Sequence, residues 1–266
     1  MSPVRINRVA RNVVRIVAGI FAVGYGLLIY AYLTIPDVRP LVRENPTTTA
    51  FIELREREAL DKGLKPRRVQ RWVGYTHISP DLKRAVLVAE DDAFFQHEGV
   101  DFEQLQESIE IDWKRGRLSR GASTITQQLA KNLYLSPSRD PLRKIRELII
   151  ARRLEAELKK ARILELYLNV IEWGDGIYGA EAASRTYFQS PAALVNAREA
   201  ALMAGAIINP RLLSPAHPTS RLLRRQQLIL RRMGGVSPPP PPVPTQVPAP
   251  GEPEEPLQID EPSGTN

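Results

Sequence analysis

Residues Ile16 to Ile35 form an uncharged, apolar run of 20 residues near the start of a 266-residue chain. As a helix such a run spans about 30 Å, the thickness of a bilayer's hydrocarbon core. The segment is therefore expected to cross a membrane, and the rest of the chain must fold beside it. Arg5, Arg8, Arg11 and Arg15 precede the run with no acidic residue among them. A positive flank stays on the cytoplasmic side, which predicts a cytoplasmic segment over 1–15, a transmembrane helix over 16–35 and everything after Pro36 outside. The run is longer than the apolar stretch of a cleavable signal and lacks a convincing small-x-small exit before Pro36, so it reads as an anchor.

At the other end, residues 236–266 hold no Lys or Arg, five consecutive prolines from Pro238 to Pro242, and the acids Glu252, Glu254, Glu255, Asp260 and Glu261. Such a composition cannot build a core and reads as a disordered, Pro-rich acidic tail. Taking its five negative charges from the net +7 leaves +12 over residues 1–235, so the folded part suits anionic partners. Beside a membrane anchor these are phospholipid or a phosphorylated substrate rather than nucleic acid. There is no cysteine, and His77, His97 and His217 do not sit at metal-ligand spacing, which argues against a disulfide framework and a zinc enzyme.

Between these ends the apolar spacing is helical. Ser79-Pro80 is an N-cap and first-turn signal, and Leu82, Ala85, Val86 and Ala89 then predict a helix that ends at Glu90. Asp140-Pro141 opens a second, long amphipathic stretch through Leu142, Ile145, Ile149 and Leu158, running on towards Ile163, Leu166 and Leu168 with a break near Lys159. Further helices are expected over Ala193–Ile208 and Ser220–Met233. No sustained period-two alternation occurs, so the fold class is mainly α. Residues 41–75, with Pro46, a threonine run and mixed charge, read as a connector or a short hairpin.

Three segments carry chemistry. In Glu90-Asp91-Asp92, Glu90 lies beside the apolar face at a helix C-terminus, where desolvation and the helix dipole both disfavour a carboxylate and raise its pKa. Repulsion from Asp91 and Asp92 would add to this, and spacing does not decide which of the three acids is catalytic or merely paired with an arginine. Glu147 has Arg143 four and Lys144 three residues before it, which keeps it ionised, as an ordinary solvated ion pair would also do. Lys131, Arg139, Arg143, Lys144 and Arg146 fall close together in sequence and could hold a diphosphate. From Gly121 to Asn132, Ser123, Thr124, Thr126, Gln127 and Gln128 offer hydroxyls and amides for sugars, although a polar helix start capped by Ser123 has the same composition. Phe94, Phe95 and His97 read as core packing and a satisfied histidine.

In order along the chain stand Glu90-Asp91-x-x-Phe94-x-x-His97-x-Gly99, Gly121-x-Ser123-Thr124-Ile125-Thr126-Gln127-Gln128, Arg143-Lys144-x-x-Glu147, Ile163-Leu164-Glu165-x-Tyr167-Leu168-Asn169 and Arg224-Arg225-x-x-Leu228-Ile229-Leu230. Together they resemble the peptidoglycan glycosyltransferases of family 51, the transglycosylase module of class A penicillin-binding proteins. The last motif departs slightly, with Ile229-Leu230 where the family usually has Val-Leu.

The resemblance implies a lysozyme-like, two-lobed helical domain over 75–235, joined to the anchor by a connector over 36–74. A smaller lipid-receiving lobe would lie over Phe102–Arg120. It implies Glu90 as general base and Glu147, with Lys131, Arg139, Arg143 and Lys144, as the group that binds or activates the donor's diphosphate. Ser123, Gln127, Gln128 and Asn132 would position the sugars, with Asp91 and Thr124 in the same substrate-binding set. The implied substrates are lipid II and a growing lipid-linked glycan. No cofactor is required, while the diphosphate leaves room for a divalent cation, Mg or Mn. Phospholipid and other wall-synthesis or division proteins are the implied partners, at the bacterial inner membrane. No Ser-x-x-Lys occurs in the sequence, so the expected subtype is monofunctional, without transpeptidase activity. The alternatives are a lytic transglycosylase or lysozyme-like hydrolase, and a non-catalytic membrane scaffold of the wall-synthesis complex.

Overall fold

The computed structural model describes residues 8–101, 123–135 and 141–234. The expected lipid-receiving lobe over 102–120, Gly121, Arg139, Asp140 and the tail lie outside them.

The chain is mainly helical. Helix α1 (Arg8–Leu33) carries the apolar run, and within it Ala10–Tyr30 is long and apolar enough to cross a membrane. The helix starts upstream of the run and ends before Thr34, two residues short of the expected Ile35, ahead of Pro36. Its large side chains, Phe21 and Leu33 among them, are exposed.

Residues 41–75 depart from the expectation. They hold a helix, α2 (Ala50–Asp61), capped by Thr49, whose Oγ1 accepts the Ile52 N–H at 3.1 Å. Its only buried side chain is Ile52, so the apolar stripe that signals a helix is almost missing. Strand β1 (Val69–Gln70) follows, and it pairs in parallel with β3 (Ile177–Tyr178) rather than with a neighbour in a hairpin. With β2 (Glu172–Gly174) antiparallel to β3, the small sheet has the order β1-β3-β2.

The remaining helices follow the sequence signals. Ser79 caps α3 (Pro80–Glu90) by accepting the Asp81 N–H, and Pro80 occupies the first turn, where its missing N–H costs nothing. Thr124, not Ser123, caps α4 (Ile125–Tyr134) by accepting the Gln127 N–H. Helix α5 (Pro141–Glu157) breaks at Lys159 into α6 (Lys160–Val170), as expected. Helix α7 (Ala180–Phe188) follows the sheet. A capping box of Asn196 and Glu199 starts α8 (Ala197–Ala206), later than the expected Ala193, and α9 is Ser220–Met233.

Helix α4 is the hub, packed against α2, α5 and α6, while α3 packs on α8 and α9. Leu82 and Val86 of α3, Ile125 and Leu129 of α4, Ile150 and Leu154 of α5, and Ile163 and Leu166 of α6 form one buried core. Burying such side chains stabilises the fold by about 1.5–3 kcal/mol each. The end of α3, the start of α4 and the start of α5 are thereby fixed against one another.

Candidate active site

Glu90 is the last residue of α3, because Asp91 still bonds the Leu87 carbonyl through its N–H (2.8 Å) but leaves helical conformation. Its Oε2 accepts from Gln128 Nε2 of α4 at 2.9 Å. Burial pushes the Glu90 pKa up, against the downward pull of the Gln128 hydrogen bond and of the positive charges on Arg225 and Lys131. Asp91 adds the smallest contribution. The expected crowding by Asp92 does not occur, since Asp92 Oδ2 accepts from Arg232 Nη2 of α9 at 2.6 Å. Desolvation, not a cluster of like charges, sets this carboxyl apart.

Asp91, expected among the substrate-binding residues, is only 3% exposed and turned inward. Its Oδ2 accepts the Ile125 N–H at 2.9 Å, and His97 Nε2 lies 2.9 Å from Oδ1. His97 Nδ1 accepts the Gly99 N–H at 3.2 Å, so the ring proton sits on Nε2 and points at Asp91. Among the described residues, Asp91, His97 and Asp101 are the one group whose donor atoms come close enough to hold a metal ion. With both His97 nitrogens and Asp91 Oδ2 already engaged, these residues do not fit a divalent cation.

The polar segment before and within α4 is built into the same framework. Thr124 Oγ1 donates to the Gly99 carbonyl at 2.7 Å, and Gln127 Nε2 donates to the same oxygen at 3.3 Å. Asn132 Nδ2 donates to the Gln128 carbonyl one turn back, at 2.8 Å. Gln128 Oε1 accepts from the Tyr167 hydroxyl of α6 at 2.9 Å. Among the expected sugar contacts, the Thr124, Gln127, Gln128 and Asn132 side chains thus make intramolecular hydrogen bonds. Ser123 faces the cations instead, with its Oγ accepting from Lys144 Nζ at 3.4 Å.

Glu147, 3% exposed, is clamped from both sides: Arg143 Nη1 donates to Oε2 at 2.9 Å and Lys144 Nζ to Oε1. Lys144 also donates to Gln127 Oε1 at 3.2 Å. The pair differs from an ordinary solvated one in that the carboxylate itself is buried, while Arg143 and Lys144 keep 23% and 45% of their side chains exposed. Lys131 feels both acids: burial lowers its pKa, while the charges of Glu147 and, more weakly, Glu90 raise it. Among the described residues Lys131 forms no ion pair. Arg146, grouped with the cations by sequence, instead donates from Nη2 to the Thr34 carbonyl beyond α1 at 3.0 Å. Beside this turn, Leu142 and Ile145 of α5 and Phe21 and Leu28 of α1 line an apolar cavity of about 520 Å³.

Two contributors were not singled out from sequence. Arg225, in the fifth motif, donates from Nε to the Gly205 carbonyl at 3.1 Å and places a positive charge near Glu90. Tyr167, in the fourth, reaches Gln128 from the core. The rest of the fourth motif is architectural: Asn169 Oδ1 accepts the Val73 N–H at 3.0 Å, and Glu165 Oε2 accepts the Tyr75 N–H at 2.9 Å.

A family model described as Transglycosylase matches residues 57–234. A protein named biosynthetic peptidoglycan transglycosylase from Laribacter hongkongensis is 46% identical over 184 residues, 69% of this chain and 81% of that one. One of the same name from Methylobacillus flagellatus is 41% identical over 206 residues, 76% of this chain and 88% of its own. Another from Aromatoleum aromaticum is 49% identical over 167 residues, covering 63% and 73% respectively.

Proposed function

The chain belongs to the transglycosylase family, and we propose that it transfers a growing lipid-linked glycan onto lipid II, inverting the donor's anomeric carbon and releasing undecaprenyl diphosphate. It is a peptidoglycan glycosyltransferase that polymerises glycan. Glu90 takes the proton of the acceptor's GlcNAc 4-hydroxyl as that oxygen attacks C1 of the donor's MurNAc. The C1–O bond to the diphosphate breaks, a β-1,4 bond forms, and the lipid diphosphate leaves with the electron pair.

The observation that carries this reading is the contrast between two carboxyls. Glu90 is half-buried with Oε2 aimed by Gln128, and burial raises its pKa and so its basicity, whereas Glu147 is held between two cations. Lys131, Arg143 and Lys144 meet the diphosphate, and Glu147 fixes the direction of the last two. Ser123, beside Lys144, is the hydroxyl best supported as a substrate contact. Residues 75–235 act as the catalytic domain, outside the membrane that α1 anchors, with phospholipid and other wall-building proteins as neighbours. The test is to give the full-length protein lipid II in detergent and follow polymer and undecaprenyl diphosphate together. Shortening of preformed glycan instead would favour the hydrolase, and absence of turnover the scaffold.

A further inference from the structure

We infer that Tyr167 is a positioning residue of the reaction, which acts through the side-chain amide of Gln128 to hold Glu90 as an oriented proton acceptor. The inference rests on the reading of Glu90 as the general base. Tyr167 is completely buried on α6, and its hydroxyl donates to Gln128 Oε1 at 2.9 Å. Gln128 Nε2 in turn donates to Glu90 Oε2 at 2.9 Å and to the Ser123 carbonyl at 3.4 Å. An amide has one accepting and one donating end, so fixing either end fixes both. Were the amide turned over, Oε1 would face the Glu90 carboxylate and the Tyr167 proton would point at another donor. Tyr167 makes no other side-chain hydrogen bond among the described residues, so its proton would then be buried without an acceptor.

The donor role of the phenol is secure. Burial, helped by the negative charges of Glu90 and Asp91, pushes the Tyr167 pKa well above its ordinary value, so the hydroxyl keeps its proton. A phenylalanine would fill the same core volume. The hydroxyl itself has one evident use, which is to orient Gln128. The relay favours the charged form of Glu90, so it opposes the rise caused by burial and keeps the carboxylate in its accepting form over a wider pH range.

The experiment is the pH dependence of lipid II polymerisation by full-length Tyr167→Phe, with Glu90→Gln and Gln128→Met measured alongside. Tyr167→Phe is expected to lower kcat by up to about tenfold, the range of one net hydrogen bond, and to leave KM for lipid II nearly unchanged. Its acid limb should move to higher pH, because an acid that loses a hydrogen bond to its charged form titrates later. Gln128→Met should move the limb in the same direction, and adding Tyr167→Phe to it should change nothing more. A relay is ruled out if Tyr167→Phe keeps the normal limb and kcat, or if the two substitutions act independently. If Tyr167→Phe does not fold, a normal limb in Gln128→Met rules it out alone. Near-normal polymerisation by Glu90→Gln would instead remove the base assignment itself, whereas an inactive Glu90→Gln with an unchanged Tyr167→Phe removes only the relay.

Discussion

Asp91 Oδ2 accepts the backbone N–H of Ile125 at 2.9 Å, and so ties the residue after the end of α3 to the first turn of α4. With His97 on its other oxygen, this carboxylate works as a fastener between two motifs. Asp91→Asn turns one of the two donors it accepts against an amide N–H. A buried, charged hydrogen bond is worth about 1.5–3 kcal/mol. For a domain of this size that corresponds to a melting temperature lower by roughly 3–12 °C. Activity should fall with it, but the acid limb of the remaining activity should stay where Glu90 puts it. A limb that moves with Asp91→Asn would make Asp91 the titrating base.

Glu90→Gln separates stability from activity. The folded-state pKa of Glu90 is raised, so the native protein binds a proton more tightly than the unfolded chain does. That contribution is complete below the unfolded value of about 4.3 and is lost as pH rises through the folded pKa. Glutamine has no such loss. Glu90→Gln is therefore expected to melt above the wild type at neutral pH, with the gap closing towards pH 4, while polymerisation falls at least about a hundredfold. Melting curves at several pH values check the first half, and a gap that is constant with pH contradicts it.

The fold was legible in sequence wherever a cap and an apolar stripe coincided. Ser79-Pro80 with Leu82 and Val86 marked α3, and the position of Glu90 at its end already implied the raised pKa. Helix α2 escaped because Ile52 is its one buried side chain, and β1 because its partner β3 lies more than a hundred residues away. In the site, the clamp on Glu147 followed from i,i+4 spacing, since it lies within one helix. The inward turn of Asp91, the pairing of Asp92 with Arg232 and the reach of Tyr167 to Gln128 all join separate elements. Their partners are set by how α3, α4, α6 and α9 pack, which local periodicity does not encode.

Glu147→Gln removes the anion between Arg143 and Lys144. Arg143 then loses its bond to the carboxylate, and among the described residues Lys144 keeps Gln127 and Ser123. The donor site is expected to weaken more than the chemical step, so undecaprenyl diphosphate should become a poorer product inhibitor. Inhibition constants for the two proteins, measured in the same detergent, give the answer. Unchanged product inhibition would place the diphosphate elsewhere.

Arg11 and Arg15 lie on the N-terminal side of the apolar stretch of α1, and the connector leaves its other end at Pro36. The positive flank predicts that a reporter fused after Arg43 is external to the cytoplasm. An enzyme reporter active only outside, compared with one active only inside, reads the orientation directly. Signal from the inside reporter alone would reverse it.

Gly99 joins the first motif to the second through its carbonyl, which accepts from both Thr124 Oγ1 and Gln127 Nε2. It does so at φ +84°, where a side chain is strained, and a Cβ there would lie 3.0 Å from Glu155 Cγ and 3.4 Å from the Ala151 carbonyl oxygen of α5. Gly99→Ala therefore meets two penalties: the left-handed backbone, roughly 1–2 kcal/mol, and a contact that α5 must yield to. Relief by rotating the backbone swings the carbonyl away from Thr124, the cap of α4, and from Gln127, which holds Lys144. A local defect in the first motif is thus expected to reach the diphosphate end of the site. Gly99→Ala should melt several degrees lower and show a raised KM for lipid II, whereas Gly63→Ala, also at positive φ (69°) but with open space around its Cβ, should affect stability alone. Kinetics and melting of the two variants side by side decide this, and an unaltered KM in a folded Gly99→Ala protein would break the proposed link between the motifs.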